Sequence, residues 1–355
     1  MLHLLDFDQP ELQKWLAEQG QPAYRAQQIL HWIYEGRAES FEDMTNLPLS
    51  LREKLREHFI LWSAAVVRRQ EADDGTEKLL LELKDGGRIE CVLLRDGHRR
   101  TICISSQVGC AMGCVFCASG LDGVDRNLTT GEILEQMLKL QRLLPAEERL
   151  SHIVVMGMGE PLANLDRLCV ALDIASSKQG LGMSTRRITI STVGLPPAMR
   201  RLADDNLGYN LAVSLHAPND TLRNELVPVN DKTGLAAILR EADHYFEVSG
   251  RRLTFEYVVL GKINDQPRHA QELVQLLRGR AALLNLIPYN PVDGLPYASP
   301  TTHDLRQFQQ ILERGGINVQ VRQRKGDRIK AACGQLRRKP EQSPTLITEI
   351  QPPAI

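Results

Sequence analysis

Cys110-Ala-Met-Gly-Cys114-Val-Phe-Cys117 is the stretch whose reading decides the rest of the chain. Its three thiols are spaced by three and then two residues, and no fourth follows nearby. A structural zinc site wants four ligands, so a loop of three cysteines is one short. An iron–sulfur cubane held by three cysteines keeps one iron open to bind a small molecule and pass it an electron. Cys-Val-Phe-Cys alone suits a redox dithiol, but a third thiol so close argues against that. Soft thiolates suit cluster, zinc and dithiol alike, so residue types leave the three open.

The whole chain narrows the choice. At 355 residues it accommodates one large α/β domain and an appendage. With 43% hydrophobic and 25% charged residues it has an ordinary globular composition. No apolar run approaches the ~20 residues of a membrane span. Asp6 and Asp8 interrupt the early leucines, so no signal peptide is expected and the cytoplasm is the expected compartment. Seven cysteines in such a chain argue for metal or redox chemistry and against a disulfide scaffold. The net charge of −1 gives no hint of nucleic acid. Charge is uneven, however. Arg322, Arg324, Lys325, Arg328, Lys330, Arg337, Arg338 and Lys339 face only Asp327 between Arg322 and Lys339. Such runs are usually solvated faces, and this one is also a candidate phosphate-contacting patch.

Residues 1–62 read as a small helical unit. Asp8 and Glu11 mark the start of one helix, Tyr24 to Glu35 carries a second, and Ser50 is placed as the cap of a third. The tryptophans there are read as core. Residues 63–100 change to strand texture punctuated by Asp73-Asp74-Gly75, Asp85-Gly86-Gly87 and Asp96-Gly97, an antiparallel extension. Glu90 sits mid-strand on a face with Val92 and Leu94, and residue types alone favour an edge position for it. From 101 to 336 strands alternate with helices. Strands are expected at 101–105, 153–157, 187–192, 210–215, 253–260, 283–288 and 317–321. Helices between them include one from Thr130, where Thr129 and Glu132 form a capping box. The count gives about six β/α units, a partial (β/α)6 TIM-like barrel. The tail, 337–355, with Pro344, Pro352 and Pro353, is expected to be disordered.

In barrels of this kind chemistry gathers at the C-terminal ends of the strands. Those ends here read Gly157-Met158-Gly159-Glu160-Pro161, Ser191-Thr192, Ser214-Leu215-His216 and Pro288-Tyr289-Asn290, with the cysteine loop after the first strand. Each alone is an ordinary turn or cap residue, and a lone histidine is more often structural than catalytic. Together on one rim they suit a small zwitterion with hydroxyls.

The loop resembles the CxxxCxxC signature of radical S-adenosylmethionine (SAM) enzymes, and Gly159-Glu160-Pro161 resembles the second-strand motif of that superfamily. Cys103 to Cys110, Met156 to Pro161, Ser214 to Asn219 and Ala331 to Leu336 closely resemble its RNA-methylating branch, and the likeness extends over nearly the whole chain. The resemblance implies a radical SAM barrel with a [4Fe-4S] cluster on Cys110, Cys114 and Cys117, and SAM held by Gly159, Glu160, Ser191, Ser214, Leu215, His216 and Asn290. It implies methylation of carbon 2 of adenine in 23S rRNA near the peptidyl-transferase centre, and in certain tRNAs beside the anticodon, using two SAM per turnover. Cys333 is then the S-methylcysteine intermediate, Cys103 the resolving thiol that forms a transient disulfide with it, and Glu90 the proton acceptor. That last role replaces the edge reading of Glu90. Residues 1–62 become an RNA-binding accessory domain, a flavodoxin-type protein the electron donor, and a monomer the expected state. Carbon-8 methylation by a resistance-type relative is the near alternative, disfavoured by Pro161 after Glu160. A zinc-bound RNA-binding module without catalysis is the remote one. Cys91 and Cys169 receive no chemical role.

Overall fold

The computed structural model describes residues 1–251, 253–322 and 325–337. The expected tail, apart from Arg337, and the basic residues Arg324, Arg338 and Lys339 lie outside them.

The chain opens with β1 (Leu2–His3), α1 (Gln9–Glu18), α2 (Tyr24–Tyr34), α3 (Leu49–His58) and β2 (Phe59–Ile60). Asp8 and Glu11 form the expected capping box on α1. The expected cap at Ser50 is corrected. α3 starts two residues earlier, at Leu49, with Pro48 at its N-cap, and the Pro48 carbonyl accepts from Leu51 and Arg52 N–H. A proline fixes its own φ and needs no N–H at a helix start, so it outcompetes the serine two residues on. Parallel pairing of Leu2 with Phe59 closes the unit. Trp15 is half-buried, edge-on to Phe59 at 4.9 Å.

Next come β3 (Ala65–Glu71), β4 (Glu77–Glu82), β5 (Arg88–Asp96) and β6 (Arg99–Cys103), an antiparallel run as expected. A short hairpin, β7 (Gln107–Gly109) and β8 (Val124–Asn127), brackets the cysteine loop. Alternation then begins: α4 (Thr130–Gln141), β9 (His152–Val155), α5 (Leu165–Ser176), β10 (Ile188–Thr192), α6 (Pro196–Asp205), β11 (Asn210–Ser214), α7 (Asp220–Leu226), α8 (Leu235–Ser249), β12 (Leu253–Val259), α9 (Pro267–Leu277), β13 (Ala282–Pro288), α10 (Thr302–Arg314) and β14 (Asn318–Val321). The capping box of Thr129 and Glu132 starts α4.

All ten strands β3–β6 and β9–β14 join one sheet in the order β14-β13-β12-β11-β10-β9-β6-β5-β4-β3. From β6 to β14 the pairing is parallel, and a helix crosses between each successive pair. Strands covered on both faces need apolar runs, and Ile102, Ile153, Ile190, Val213, Phe255 and Leu286 are fully buried. β6 is the joint: it pairs antiparallel with β5 and parallel with β9, so Glu90 on β5 lies one strand from the strand that leads into the cysteine loop. The sequence reading misses α7, the hairpin around the loop and the two-residue strands β1 and β2; all are short, seven residues for α7, and carry too few periodic positions to stand out.

Candidate active site

The parallel strands end on one cavity of about 150 Å³, lined by Cys110, Cys114, Cys117, Glu160, Ser214 and Cys333 among others. The hairpin delivers the loop: Cys110 N–H donates to the Gly123 carbonyl across it, at 2.9 Å. Val115 N–H donates to the Leu226 carbonyl at the end of α7, and Phe116 packs edge-on against His216 at 4.9 Å. Burial pushes all three thiols up, Cys110 to about 11, because a lone thiolate there would be poorly solvated. A metal centre reverses that balance, since bound cysteine is held deprotonated. Three half-buried thiols line one cavity wall; among the described residues no three cysteine, histidine or acidic side chains converge on a single metal ion, and the set leaves room for a larger group that takes one thiolate at each of three corners.

Glu160 is the best-anchored polar group on the rim. Its Oε1 accepts from Leu162 N–H at 3.0 Å and its Oε2 from Val193 N–H at 2.9 Å. Burial raises its carboxyl above the usual range, against the opposing pull of Val193, Thr192 and Leu162. A carboxylate so held is ready for an ammonium group. Gly159 beside it has φ +103°, and a Cβ there would stand 2.7 Å from the Gln107 side chain, so only glycine fits. Ser191 and Ser214 face each other with hydroxyls 3.5 Å apart.

His216 also has φ in the left-handed region, at 61°. Its Nδ1 accepts from Val258 N–H at 3.1 Å, and its carbonyl accepts from Asn264 Nδ2 at 2.8 Å. Burial, with Arg223 nearby, drops its pKa to about 3, so the ring is neutral. Leu215 next to it is fully buried, and its carbonyl accepts from Arg223 Nε. Asn290 donates to the Cys333 carbonyl at 3.2 Å, while its buried Oδ1 has no hydrogen-bond partner.

Cys103 lies on a second cavity of about 380 Å³, and Cys333 lines that one too. Desolvation drives the half-buried Cys103 thiol up to about 12; Cys333 is an exposed residue whose sulfur is also raised by desolvation where it meets the cavities, against the pull of Arg322. Arg322 stands in both cavities. Glu90 is buried; its carboxylate pairs with Lys78 at 2.8 Å and accepts from Arg337 N–H at 2.8 Å. Cys91, the next residue, is fully enclosed in the core on the other face of β5, and Cys169 is half-buried at the edge of the core.

Three residues of the site were missed from sequence. Arg223, fully buried, donates to the carbonyls of Val193, Ser214 and Leu215 and so ties the ends of β10 and β11 together. Its signal was the short helix α7, itself missed. Glu256 sits mid-strand in β12 and lines the first cavity. Asn285 donates to its Oε1 at 3.0 Å, whereas its Oε2 is buried without a hydrogen-bond partner, 3.7 Å from Arg322 Nη1. An acid inside an otherwise apolar strand was the available clue. Lys78 on β4 showed no such pattern.

Comparison with known proteins fits this arrangement. Residues 2–61 match the family model described as the ribosomal RNA large subunit methyltransferase N-terminal domain, and residues 104–274 match the radical SAM superfamily. The chain is 65% identical over 336 residues to a Rhodopirellula baltica protein named "Probable dual-specificity RNA methyltransferase RlmN", covering 95% of this chain and 91% of that one. This chain belongs to the RlmN family. A Bacillus licheniformis RlmN relative of the same printed name is 44% identical, over 96% of this chain and 95% of its own. A crystal structure of a radical SAM methyltransferase from Sphaerobacter thermophilus superposes with a TM-score of 0.93 at 43% identity, covering 96% of this chain and 100% of that one. As a member of the RlmN family the chain is a radical SAM methyltransferase, and membership implies SAM and an iron–sulfur cluster. No helix among the described residues is long and apolar enough to cross a membrane.

Proposed function

We propose that this chain methylates carbon 2 of adenine in 23S rRNA and in certain tRNAs, through a methyl group carried on Cys333. One observation carries most of the weight: Cys333 faces both the cavity with the three loop cysteines and the cavity with Cys103, 230 positions away in sequence. A carrier thiol needs that double access, to the radical source on one side and to the thiol that releases it on the other. The family relationship and the name of the relatives support RNA as the substrate.

Carbon 2 of adenine is not nucleophilic, so direct displacement on a sulfonium methyl fails there. The carrier solves this in steps. The Cys333 sulfur takes a methyl from one SAM, forming an S–C bond as S-adenosylhomocysteine leaves. A [4Fe-4S] cluster held by Cys110, Cys114 and Cys117 would supply one electron, received from an external flavodoxin-type donor, to split a second SAM into methionine and a 5′-deoxyadenosyl radical. Glu160 would accept from the SAM amine, Ser191, Ser214 and Asn290 would meet its other polar groups, and Gly159 and His216 line the same cavity, with the fully buried Leu215 behind it. The carrier methyl would give a hydrogen atom to that radical, forming 5′-deoxyadenosine, its methylene carbon would bond to carbon 2 of the ring, and the adduct would return its unpaired electron to the redox centre. Glu90 takes the ring proton. The Cys103 sulfur, giving up its proton, then attacks the Cys333 sulfur; the S–S bond forms as the S–C bond breaks, and the released methylene carbon takes up a proton to become the methyl group of the product.

Three described members of the basic run form ion pairs with exposed acids: Lys325 with Asp96, Arg328 with Asp73, Lys330 with Asp293. Exposed pairs of this kind exchange partners at little cost, which suits phosphate contact. Nucleosides from digested RNA of a strain lacking this gene, measured by mass spectrometry, test the proposal. Loss of 2-methyladenosine, restored by the gene, is expected; an unchanged level, or loss of 8-methyladenosine instead, contradicts it.

A further inference from the structure

Glu90 does not stand alone beside the carrier segment. Lys78 on β4 and Glu90 on β5 are diagonal neighbours, since Lys78 pairs with Val92 and Leu80 with Glu90. Lys78 Nζ lies 2.8 Å from Glu90 Oε1, and the two side chains are only 7% and 8% exposed. The same ammonium donates to the Lys330 carbonyl at 3.1 Å. The other carboxylate oxygen accepts from Arg337 N–H at 2.8 Å. Lys330 and Arg337 flank Cys333, so one buried ion pair grips the main chain on both sides of the thiol. Between these grips, Ala118 N–H donates to the Gly334 carbonyl at 2.7 Å and Asn290 to that of Cys333.

A buried ion pair is expensive to desolvate and is offset only where further hydrogen bonds complete it. Here those further partners belong to the carrier segment. An apolar pair would hold β4 to β5 equally well, so sheet pairing does not account for the charges. We infer that Lys78 is a positioning residue of the reaction: it docks the Cys333 segment on β4–β5 and holds the Glu90 carboxylate against it, so that methyl carrier and proton acceptor are presented together. This rests on the proposed roles of Cys333 and Glu90. It also gives the cycle an order. When Glu90 takes the ring proton its charge disappears, the attraction to Lys78 weakens, and the grip relaxes at the step where Cys333 pairs with Cys103.

Hydrogen exchange on the anaerobic, cluster-loaded enzyme tests the grip, and the Arg337 amide reports it directly. In Lys78→Met, the amides of 326–337 are expected to exchange about tenfold faster or more, while β9–β12 keep their protection. Lys78→Met leaves a buried carboxylate stranded and risks misfolding. The double variant Lys78→Met/Glu90→Leu removes both charges and is expected to show the same loosening. Lys78→Arg is expected to restore both protection and the rate of Cys333 methylation from SAM, a rescue that a filler residue would not need. The inference is overturned if exchange over 326–337 stays within about twofold of wild type in both variants. It is equally overturned if exchange rises while Cys333 methylation and turnover stay unchanged. If wild-type enzyme never methylates Cys333, the proposed function fails, and the exchange result still decides whether the grip exists.

Discussion

The rim of strand ends and the Cys333 segment meet at one site but are built differently. The rim is held from within: Glu160 by backbone N–H groups of Leu162 and Val193, β10 and β11 by the buried Arg223, His216 by the backbone of β12. The Cys333 segment has a single turn of 3-10 helix and is held from outside. Asp74 accepts from Gly326 N–H, Asp96 pairs with Lys325, and the Pro291 carbonyl accepts from Gln335, in addition to the Lys78–Glu90 grip. A rim of this kind keeps its shape with or without its ligand. A docked segment held by one buried pair, a few exposed pairs and single hydrogen bonds, with no strand or long helix of its own, opens at lower free energy. The difference matches the proposed tasks: a radical source that stays fixed, and a carrier that meets a methyl donor, a base and a second thiol in turn.

The largest expected effects separate the two regions chemically. Cys114→Ala and Cys333→Ala both reduce product to background, for different reasons. Cys114→Ala loses iron and visible absorbance, whereas Cys333→Ala keeps both, still cleaves SAM after reduction, and carries no methyl. Absorbance spectra and peptide mass spectrometry distinguish them. Next comes stability. Arg223→Met strands the carbonyls of Val193, Ser214 and Leu215 and is expected to cost about 3 kcal/mol or more in chemical denaturation. Asp293→Asn, which breaks the exposed Lys330 pair of the carrier segment, is expected to cost about 1 kcal/mol or less. Equal losses would erase the distinction between the regions. Glu256→Ala is expected to weaken SAM binding to the cluster-loaded protein about tenfold in equilibrium dialysis, the worth of one hydrogen bond to a charged acceptor. Unchanged affinity would confine Glu256 to bracing Arg322.

The smallest effect is acid stability of the rim. His216 has its folded pKa depressed to about 3, against about 6.5 unfolded. The unfolded state therefore binds the proton first, so the contribution of the neutral ring is complete above the unfolded value and fades as pH falls toward the folded one. Between those values His216→Gln is expected to lose less stability than wild type on acidification, measured by urea midpoints. Parallel curves would contradict this.

The rim was legible in the sequence because each strand end carries its own local signal: a glycine before an acid, a serine closing an apolar run, an asparagine after Pro288-Tyr289. The parallel strands were legible for the same reason, as apolar runs bounded by turns. The carrier segment was not legible from pattern. Its partners Lys78, Glu90 and Asp293 lie tens to hundreds of residues away, and nothing local to Ala331-Ala332-Cys333 announces them. Only resemblance assigned Cys333 and Glu90, and it said nothing of Lys78. Arg223 and Glu256 were missed because each acts across strands, Arg223 from a helix too short to show a period.

The most direct measurement incubates the anaerobic, cluster-loaded enzyme with methyl-labelled SAM and no RNA, then maps the label by tandem mass spectrometry. The account predicts one labelled methyl on the sulfur of Cys333 and none on Cys103. Label on Cys103, or on neither cysteine in a protein that holds its iron and binds SAM, would contradict it.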